Sequence, residues 1–291
     1  GWTDYMLDKY GKNNLNIVAY QYYQWLPEPA MNATLDVLQA DPDIDVVLIA
    51  TPNDCHKPIA IRAMHAGKNV ISEKPVTLSS ADLLEMENAA KETGKLLTVH
   101  QNRRWDDDFL IIKKLVEEQK LGHVFRIESR VHGSRGIPGD WRKEKVHGGG
   151  MVLDWGVHLL DQILYMYGDR KIETVYASLT NVTNQEVDDG FTAILTFEGG
   201  TEVLVEVGTN NYISLPRWYV LGEDGTAVIR DWQLNGEIIR KTGRTEETVV
   251  PVKTAAGLTK TMAPRREDTI VKEDLPKVSG DIADFHRNVV A

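Results

Sequence analysis

The chain has 291 residues, enough for one large domain or two ordinary ones, and its 42% apolar and 26% charged residues are ordinary for a soluble protein. A formal net charge of −10 with no basic block argues against nucleic acid and anionic membranes as partners. The single cysteine, Cys55, excludes an internal disulfide and fits a reducing, cytoplasmic setting, and no run of about 18 apolar residues is present to span a bilayer.

Residues 2–10 form a short amphipathic piece that stops at Gly11. Residues 15–20 read as a strand. Residues 21–31 are aromatic-rich, hold Pro27 and Pro29, and show no clear period. Residues 34–40 suggest a short helix with Thr34 as its N-cap. From Asp45 the signal sharpens. Residues 45–50 are a continuous apolar run, the pattern of a strand buried on both faces in a parallel sheet. The run ends at Thr51-Pro-Asn-Asp-Cys-His56, and a helix follows to Ala66, stopped by Gly67. Residues 69–72 form a strand ending in Glu73-Lys74-Pro75. Ser79 or Ser80 caps a helix that runs to Thr93 and stops at Gly94. Residues 95–100 form a further strand, ending in Gln101-Asn102-Arg103-Arg104.

This alternation predicts right-handed βαβ units, hence a Rossmann-like parallel sheet with helices on both sides. Ligands of such sheets sit at the carboxyl ends of the strands. Three consecutive strand ends here carry polar and charged residues, which favours a site over three ordinary turns.

Residues 106–120 are helical, with Gly122 as the stop, and residues 123–132 alternate as a strand. Residues 133–149 form a glycine-rich loop with Trp141-Arg142 in its middle. After Gly168 the period changes to two. Residues 175–180, 191–197, 203–207, 217–221 and 227–231 read as strands, with hairpin signals at Glu198-Gly199-Gly200 and Glu223-Asp224-Gly225. A run of strands predicts a second, α+β domain on a large, mostly antiparallel open sheet. The boundary falls near Arg103, giving domains 1–103 and 104–291. Residues 241–279 are polar with little pattern, and residues 281–290 start a terminal helix.

The stretch from Gly148 to Asp161 joins three glycines to a periodic apolar segment. Leu153, Val157, Leu160 and Leu164 recur at helical spacing. On an ideal helix Asp154, His158 and Asp161 fall within roughly 60° of one another. Leu159 and Ile163 lie on the far side, so apolar residues surround the polar stripe and the helix is expected to be buried. Buried carboxylates beside an imidazole either pair or act. The plain reading is a satisfied Asp–His bond in a core helix; the sharper one is a general acid/base held by a carboxylate.

The segments DIDVVLIATPNDCH, AGKNVISEKP, QNRRWD and GGGMVLDWGVHLLD resemble the motif series of the Gfo/Idh/MocA oxidoreductases, the glucose–fructose oxidoreductase and inositol dehydrogenase family. The resemblance is close over residues 36–168. It implies a dinucleotide-binding domain followed by an α/β domain whose open sheet packs subunits into a homodimer or homotetramer. It implies NAD or NADP as cofactor and hydride transfer to or from a carbinol carbon of a sugar, inositol or related polyol. Lys74, Asp154 and His158 match the family's catalytic lysine, aspartate and histidine. Thr51, Asn53, His56, Glu73, Lys74 and Asn102 match residues lining the dinucleotide, and Trp141 and Arg142 resemble a pair approaching the nicotinamide. No metal ligands are assigned. Simpler roles stand beside these: a solvated turn lysine for Lys74, a loop anchor for Trp141 and Arg142, pairing with Asp106–Asp108 for Arg103 and Arg104, and a small packed residue for Cys55.

The residues agree with those roles chemically. Imidazole titrates near neutrality, so His158 can move the hydroxyl proton in either direction. Lys74 can stabilise a developing alkoxide. Lys74 and His158 are expected to converge from the two domains. The sequence departs from the family at its start: a strand and a G-x-G-x-x-G turn are expected for the pyrophosphate, and neither is present. Gly1-Trp2 reads as the tail of such a motif. Residues are therefore expected to be missing at the start, near positions 22–29, and at the end. Two other functions fit the same fold: a glycosidase using held NAD for transient oxidation and elimination, and a non-catalytic NAD-binding sensor.

Overall fold

In a computed structural model, the structure describes residues 29, 32–34, 36–37, 43–244 and 249–290. The elements expected over residues 2–10 and 15–20 lie outside these residues, as does the irregular stretch 21–31 except for Pro29. Of the helix expected at 34–40, residues 34, 36 and 37 are described, and they are helical. The chain forms two compact units, one of Gly1–His100 with Val146–Gly148, the other of Gln101–Lys145 with Gly149–Ala291. The changeover thus falls at His100, a little before Arg103, and a short return segment interrupts the second unit.

The first unit holds strands β1 (Val46–Ile49), β2 (Asn69–Ser72) and β3 (Leu97–Val99), with helix α1 (His56–His65) between β1 and β2 and α2 (Ser80–Thr93) between β2 and β3. The strands are parallel in the order β1-β2-β3, with Val47 opposite Val70 and Ile71 opposite Thr98. Ser79 caps α2 by accepting the Asp82 N–H at 3.2 Å, and Gly94 ends it in the left-handed conformation. Both crossovers step the same way, so the right-handed rule puts α1 and α2 on one face, where they pack together. The expected second helical layer is not seen among the described residues. Ile49, Cys55, Ile59, Met64, Val70 and Met86 form the core. Burial of β1 on both faces is corrected: Val46 and Leu48 are 42% and 36% exposed, because they share the face opposite α1 and α2, and no described helix covers it.

The second unit is built on an eight-stranded sheet. In chain order its helices and strands are α3 (Asp107–Glu117), β4 (Val124–His132), α4 (Val157–Tyr167), β5 (Ile172–Thr180), β6 (Gly190–Phe197), β7 (Glu202–Gly208), β8 (Trp218–Gly222), β9 (Gly225–Ile229) and β10 (Gly236–Lys241). A small hairpin of β11 (Val252–Thr254) and β12 (Gly257–Thr259), strand β13 (Ile270–Glu273) and helix α5 (Ala283–Val290) follow. The sheet order is β13-β10-β9-β8-β4-β7-β6-β5, and only β4 and β7 pair in parallel. Strands β10 to β13 lie beyond the strands read from the sequence.

Alternation places Ile127, Val131, Phe191, Leu195, Phe197, Val203, Val205, Trp218 and Ile229 on the core face. Arg126, Glu128, Arg130, Glu202 and Glu206 pair with one another on the other face.

Helix α4 differs from the ideal helix expected for it. Val152–Gly156, just before it, is a π-helical turn. Such a turn inserts about one residue and rotates the later turns of the helix by up to roughly 100°. The core face is Met151, Leu159, Ile163 and Tyr167, with Tyr167 stacked 4.8 Å from Phe197. Of the stripe Leu153, Val157, Leu160 and Leu164, the first three are only partly buried, with Leu160 packed at the edge of the core, and Leu164 is 45% exposed.

Candidate functional site

In the first unit the candidate residues gather at the carboxyl ends of β1 and β2. Asn53 is buried, and its amide donates to the Gly148 carbonyl at 2.8 Å. Gly148 has φ +72°, and a Cβ there would stand 2.3 Å from the Leu78 side chain, so both backbone and space favour glycine. His147 Nδ1 lies 3.1 Å from Asp54 Oδ2, which holds the same return segment.

The His56 ring is fully buried. Its Nδ1 is 2.8 Å from the Pro75 carbonyl and its Nε2 is 3.0 Å from the Thr51 carbonyl. The ring therefore sits between the Thr51 turn and the Glu73-Lys74-Pro75 turn, where the neutral imidazole donates to one of the two carbonyls, and it presents no ring edge to a ligand. Burial pushes its pKa down and outweighs the two carbonyls, which favour the protonated ring.

Glu73 Oε1 lies 2.7 Å from His100 Nδ1, and Glu73 Oε2 accepts the Lys74 backbone N–H at 3.2 Å. Burial opposes ionisation of Glu73, but His100 and Lys74 outweigh it and hold the carboxyl below its usual range. Lys74, half-buried, follows this anchored carboxylate. The Cys55 thiol is pushed up to about 12 by burial and the neighbouring Asp54, so it is a packed residue and not a nucleophile.

In the second unit Asp154 sits in the π turn, and its Oδ2 is 3.4 Å from Arg142 Nε. Arg142 also donates to Asp140 Oδ2 at 2.7 Å and lies over the Trp141 ring at 4.7 Å. His158 is 5% exposed, with the Trp155 ring edge-on at 6.0 Å. Asp161 is taken up by an ion pair: Arg104 Nε and Nη2 donate to its two oxygens at 2.7 and 2.6 Å. Arg103 pairs with Asp106 at 2.8 Å and stacks 4.1 Å over Trp155. Asn102 opens the turn Asn102–Trp105, which packs on α4, and Gln162 donates to the Arg103 carbonyl at 2.6 Å.

Several buried polar atoms test the fit of a dinucleotide. Thr51 Oγ1 in the first unit, and Asn102 Oδ1 and Trp141 Nε1 in the second, have no hydrogen-bond partner among the described residues. Leaving such atoms unpaired is costly, and the hydroxyl, amide and phosphate groups of a nicotinamide dinucleotide offer partners. The residues present fit that group. Among the described residues, no set of three or more His, Cys, Asp or Glu is placed to hold a metal ion, and no helix is long and apolar enough to cross a membrane.

The structure thus groups Thr51, Asn53, His56, Glu73 and Lys74 at the strand ends of the first unit. It sets Asn102, Trp141, Arg142, Asp154 and His158 on or beside the helix region of the second. His100 was missed as the partner of Glu73; its position at the end of β3, level with the other strand ends, was the available signal.

The profile of the oxidoreductase family with NAD-binding Rossmann fold matches residues 13–101, and that of the GFO/IDH/MocA C-terminal domain matches residues 109–228. A crystal structure of an NAD-binding protein from Listeria innocua is 45% identical, with a TM-score of 0.88, and the match covers 100% of this chain and 87% of that one. An uncharacterized oxidoreductase of Escherichia coli (strain K12) is 43% identical over 129 residues, 44% of this chain and 37% of that protein. A scyllo-inositol 2-dehydrogenase (NADP(+)) of Bacillus subtilis (strain 168) is 30% identical over 203 residues, 69% of this chain and 56% of that protein. The chain spans about half the length of the curated relatives it matches. With both domain profiles matched in order, and a solved relative matched along its length, the chain belongs to the Gfo/Idh/MocA oxidoreductase family.

Proposed function

We propose that the protein is an NAD(P)-dependent dehydrogenase acting on a secondary alcohol carbon of a sugar, an inositol or a related polyol. The observation that carries this reading is the helix-borne pair: a nearly buried His158 and, one turn before it, Asp154 held beside Arg142. His158 accepts the hydroxyl proton in oxidation and returns it in reduction. Asp154 takes a second hydroxyl of the substrate and fixes its orientation. Lys74 stabilises the developing alkoxide and polarises the carbonyl in the reverse direction. When bound, the nicotinamide accepts or supplies the hydride.

Thr51, Asn53, Glu73, Asn102, Trp141 and Arg142 are read as cofactor-lining residues. His56 is read as a support behind them, because its ring is spent on two carbonyls. Likeness to a scyllo-inositol dehydrogenase supports a cyclitol or polyol substrate. Val175, Tyr176 and Leu179 on β5 are exposed and support subunit packing through the large sheet, as a homodimer or homotetramer in the cytoplasm.

The test is a screen of cyclitols, hexoses and glycosides with NAD and with NADP, followed by nicotinamide absorbance. Build-up of reduced cofactor with a free cyclitol or sugar is expected. Aglycone release without net cofactor reduction would replace this reading with the glycosidase. Cofactor binding with no turnover of any kind would favour the sensor.

A further inference from the structure

The helix that carries Asp154 and His158 begins abruptly after three glycines, and its first N–H groups need acceptors. They find them in the loop between β5 and β6. Met151 N–H and Val152 N–H both donate to Asp188 Oδ2 at 2.9 Å, and Met151 N–H also reaches the Asp188 carbonyl at 3.1 Å. Gly150 has φ +102°, and a Cβ there would stand 2.4 Å from Asp188 Oδ1. The third glycine therefore leaves room for this carboxylate.

The loop itself is firmly held. Asn181 donates to the Val187 carbonyl at 2.8 Å, and Asn184 Oδ1 accepts the Glu186 N–H at 2.7 Å. Thr180 and Thr183 hydroxyls donate to Asp189 at 2.9 Å each. The same loop grips the Trp141-Arg142 side: Glu186 accepts the Lys145 N–H at 2.8 Å, and Asn184 donates to the Lys143 carbonyl at 3.3 Å. One loop therefore fixes both the π turn bearing Asp154 and the segment bearing Arg142, the two partners of the 3.4 Å contact.

We propose that Asp188 is a positioning residue for the reaction: its carboxylate sets the register of the π turn and so fixes Asp154 and His158. The proposal rests on the reading of those two residues as the reacting pair. Burial raises the Asp188 carboxyl's pKa against the two N–H bonds that lower it. The ionised carboxylate is also the favoured charge at a helix N-terminus.

The test uses the full chain with Asp188→Ala and Asp188→Asn. Amide hydrogen exchange is measured across residues 151–158, independently of activity. Asp188→Ala is expected to speed exchange there by roughly tenfold or more. It is also expected to lower kcat by roughly tenfold to a hundredfold while the Kd for NADH or NADPH is unchanged. Asp188→Asn keeps an acceptor oxygen and is expected to recover most of both. Native exchange and native kcat in Asp188→Ala would overturn the proposal, as would an equal loss of kcat and cofactor affinity. If Asp188→Ala does not fold, Asp188→Glu moves the same charge by one methylene. It should lower kcat at normal cofactor affinity, and a native kcat overturns the proposal. A wild-type protein with no dehydrogenase turnover rejects the functional reading, while the exchange result still decides whether Asp188 holds the turn.

Discussion

Replacing Asp108 with alanine strands a buried cation, and the cost can be read from the geometry around it. Asp108 is 3% exposed in the first turn of α3, and Arg217, just before β8, is 5% exposed. Asp108 Oδ2 accepts from Arg217 Nε at 3.1 Å, from Trp218 Nε1 at 3.0 Å and from Arg217 Nη2, while Oδ1 accepts the Phe109 N–H at 2.8 Å. Arg217 also donates to the Arg130 carbonyl at 3.0 Å and lies 3.5 Å over the Trp232 ring. Burial pulls the Arg217 pKa down, and Asp108 holds it up.

Removing one partner of such a pair costs about 3–5 kcal/mol. For a unit of this size that corresponds to a fall in Tm of roughly 6–20 °C. Replacing both members, Asp108→Leu with Arg217→Met, leaves no uncompensated charge and is expected to be less destabilised than Asp108→Ala, the remaining loss coming from the Trp218 indole and Phe109 N–H groups that lose their acceptor. Urea titration followed by tryptophan fluorescence reads this directly, because Trp218 and Trp232 touch the pair. A loss below about 1 kcal/mol for Asp108→Ala, or a double variant as unstable as the single one, would refute the argument.

Three further outcomes rest on packing and charge elsewhere in the fold. Leu159→Ala should cost about 2–5 kcal/mol in a urea melt and Leu164→Ala under about 1, because only the former faces the sheet; equal costs would mean the helix face is wrongly assigned. Gly149→Ala places a Cβ 2.3 Å from the Arg142 carbonyl, so a stability loss of about 1–3 kcal/mol and reduced turnover are expected, and a native variant would contradict that packing. Because the His56 pKa is lowered in the fold, the unfolded chain binds more protons below about 6.5, so stability should fall as pH drops through that value, by at most about 1.4 kcal/mol per pH unit. Urea midpoints between neutrality and mildly acidic pH should flatten in His56→Gln; an unchanged slope would remove His56 as the cause.

The alternating half of the first unit was legible because its apolar runs are short and end in sharply polar turns. The later strands from β6 to β9 were legible because their period of two reports one buried face. Strand β10 was not: Glu237, Ile238, Ile239 and Arg240 offer no clean alternation, and its place is set by pairing with β9 and β13. Nothing in the spacing from Met151 to Tyr167 announces a π turn. A segment apolar nearly all round leaves its core face undecided, so Leu159 and Ile163 were placed on the far side when they are the core. The hold on that turn comes from Asp188, 36 residues beyond Val152, a separation that no local pattern reports. The Glu73–His100 contact spans 27 residues and was hidden for the same reason. His56 was read as a dinucleotide-lining residue from its motif position, and only the fold reveals that its buried ring faces two carbonyls.

The proposed dehydrogenase activity requires that Lys74 and His158 serve one hydride-transfer step. The most direct measurement is the rate at which deuterium moves from a carbinol-labelled polyol to the nicotinamide, in single turnover, for wild type, Lys74→Ala, His158→Ala and the double variant. The account predicts label on the cofactor in wild type, a loss of at least about a hundredfold in each single variant, and a double variant far less impaired than the product of the two. An unchanged transfer rate in Lys74→Ala would contradict it.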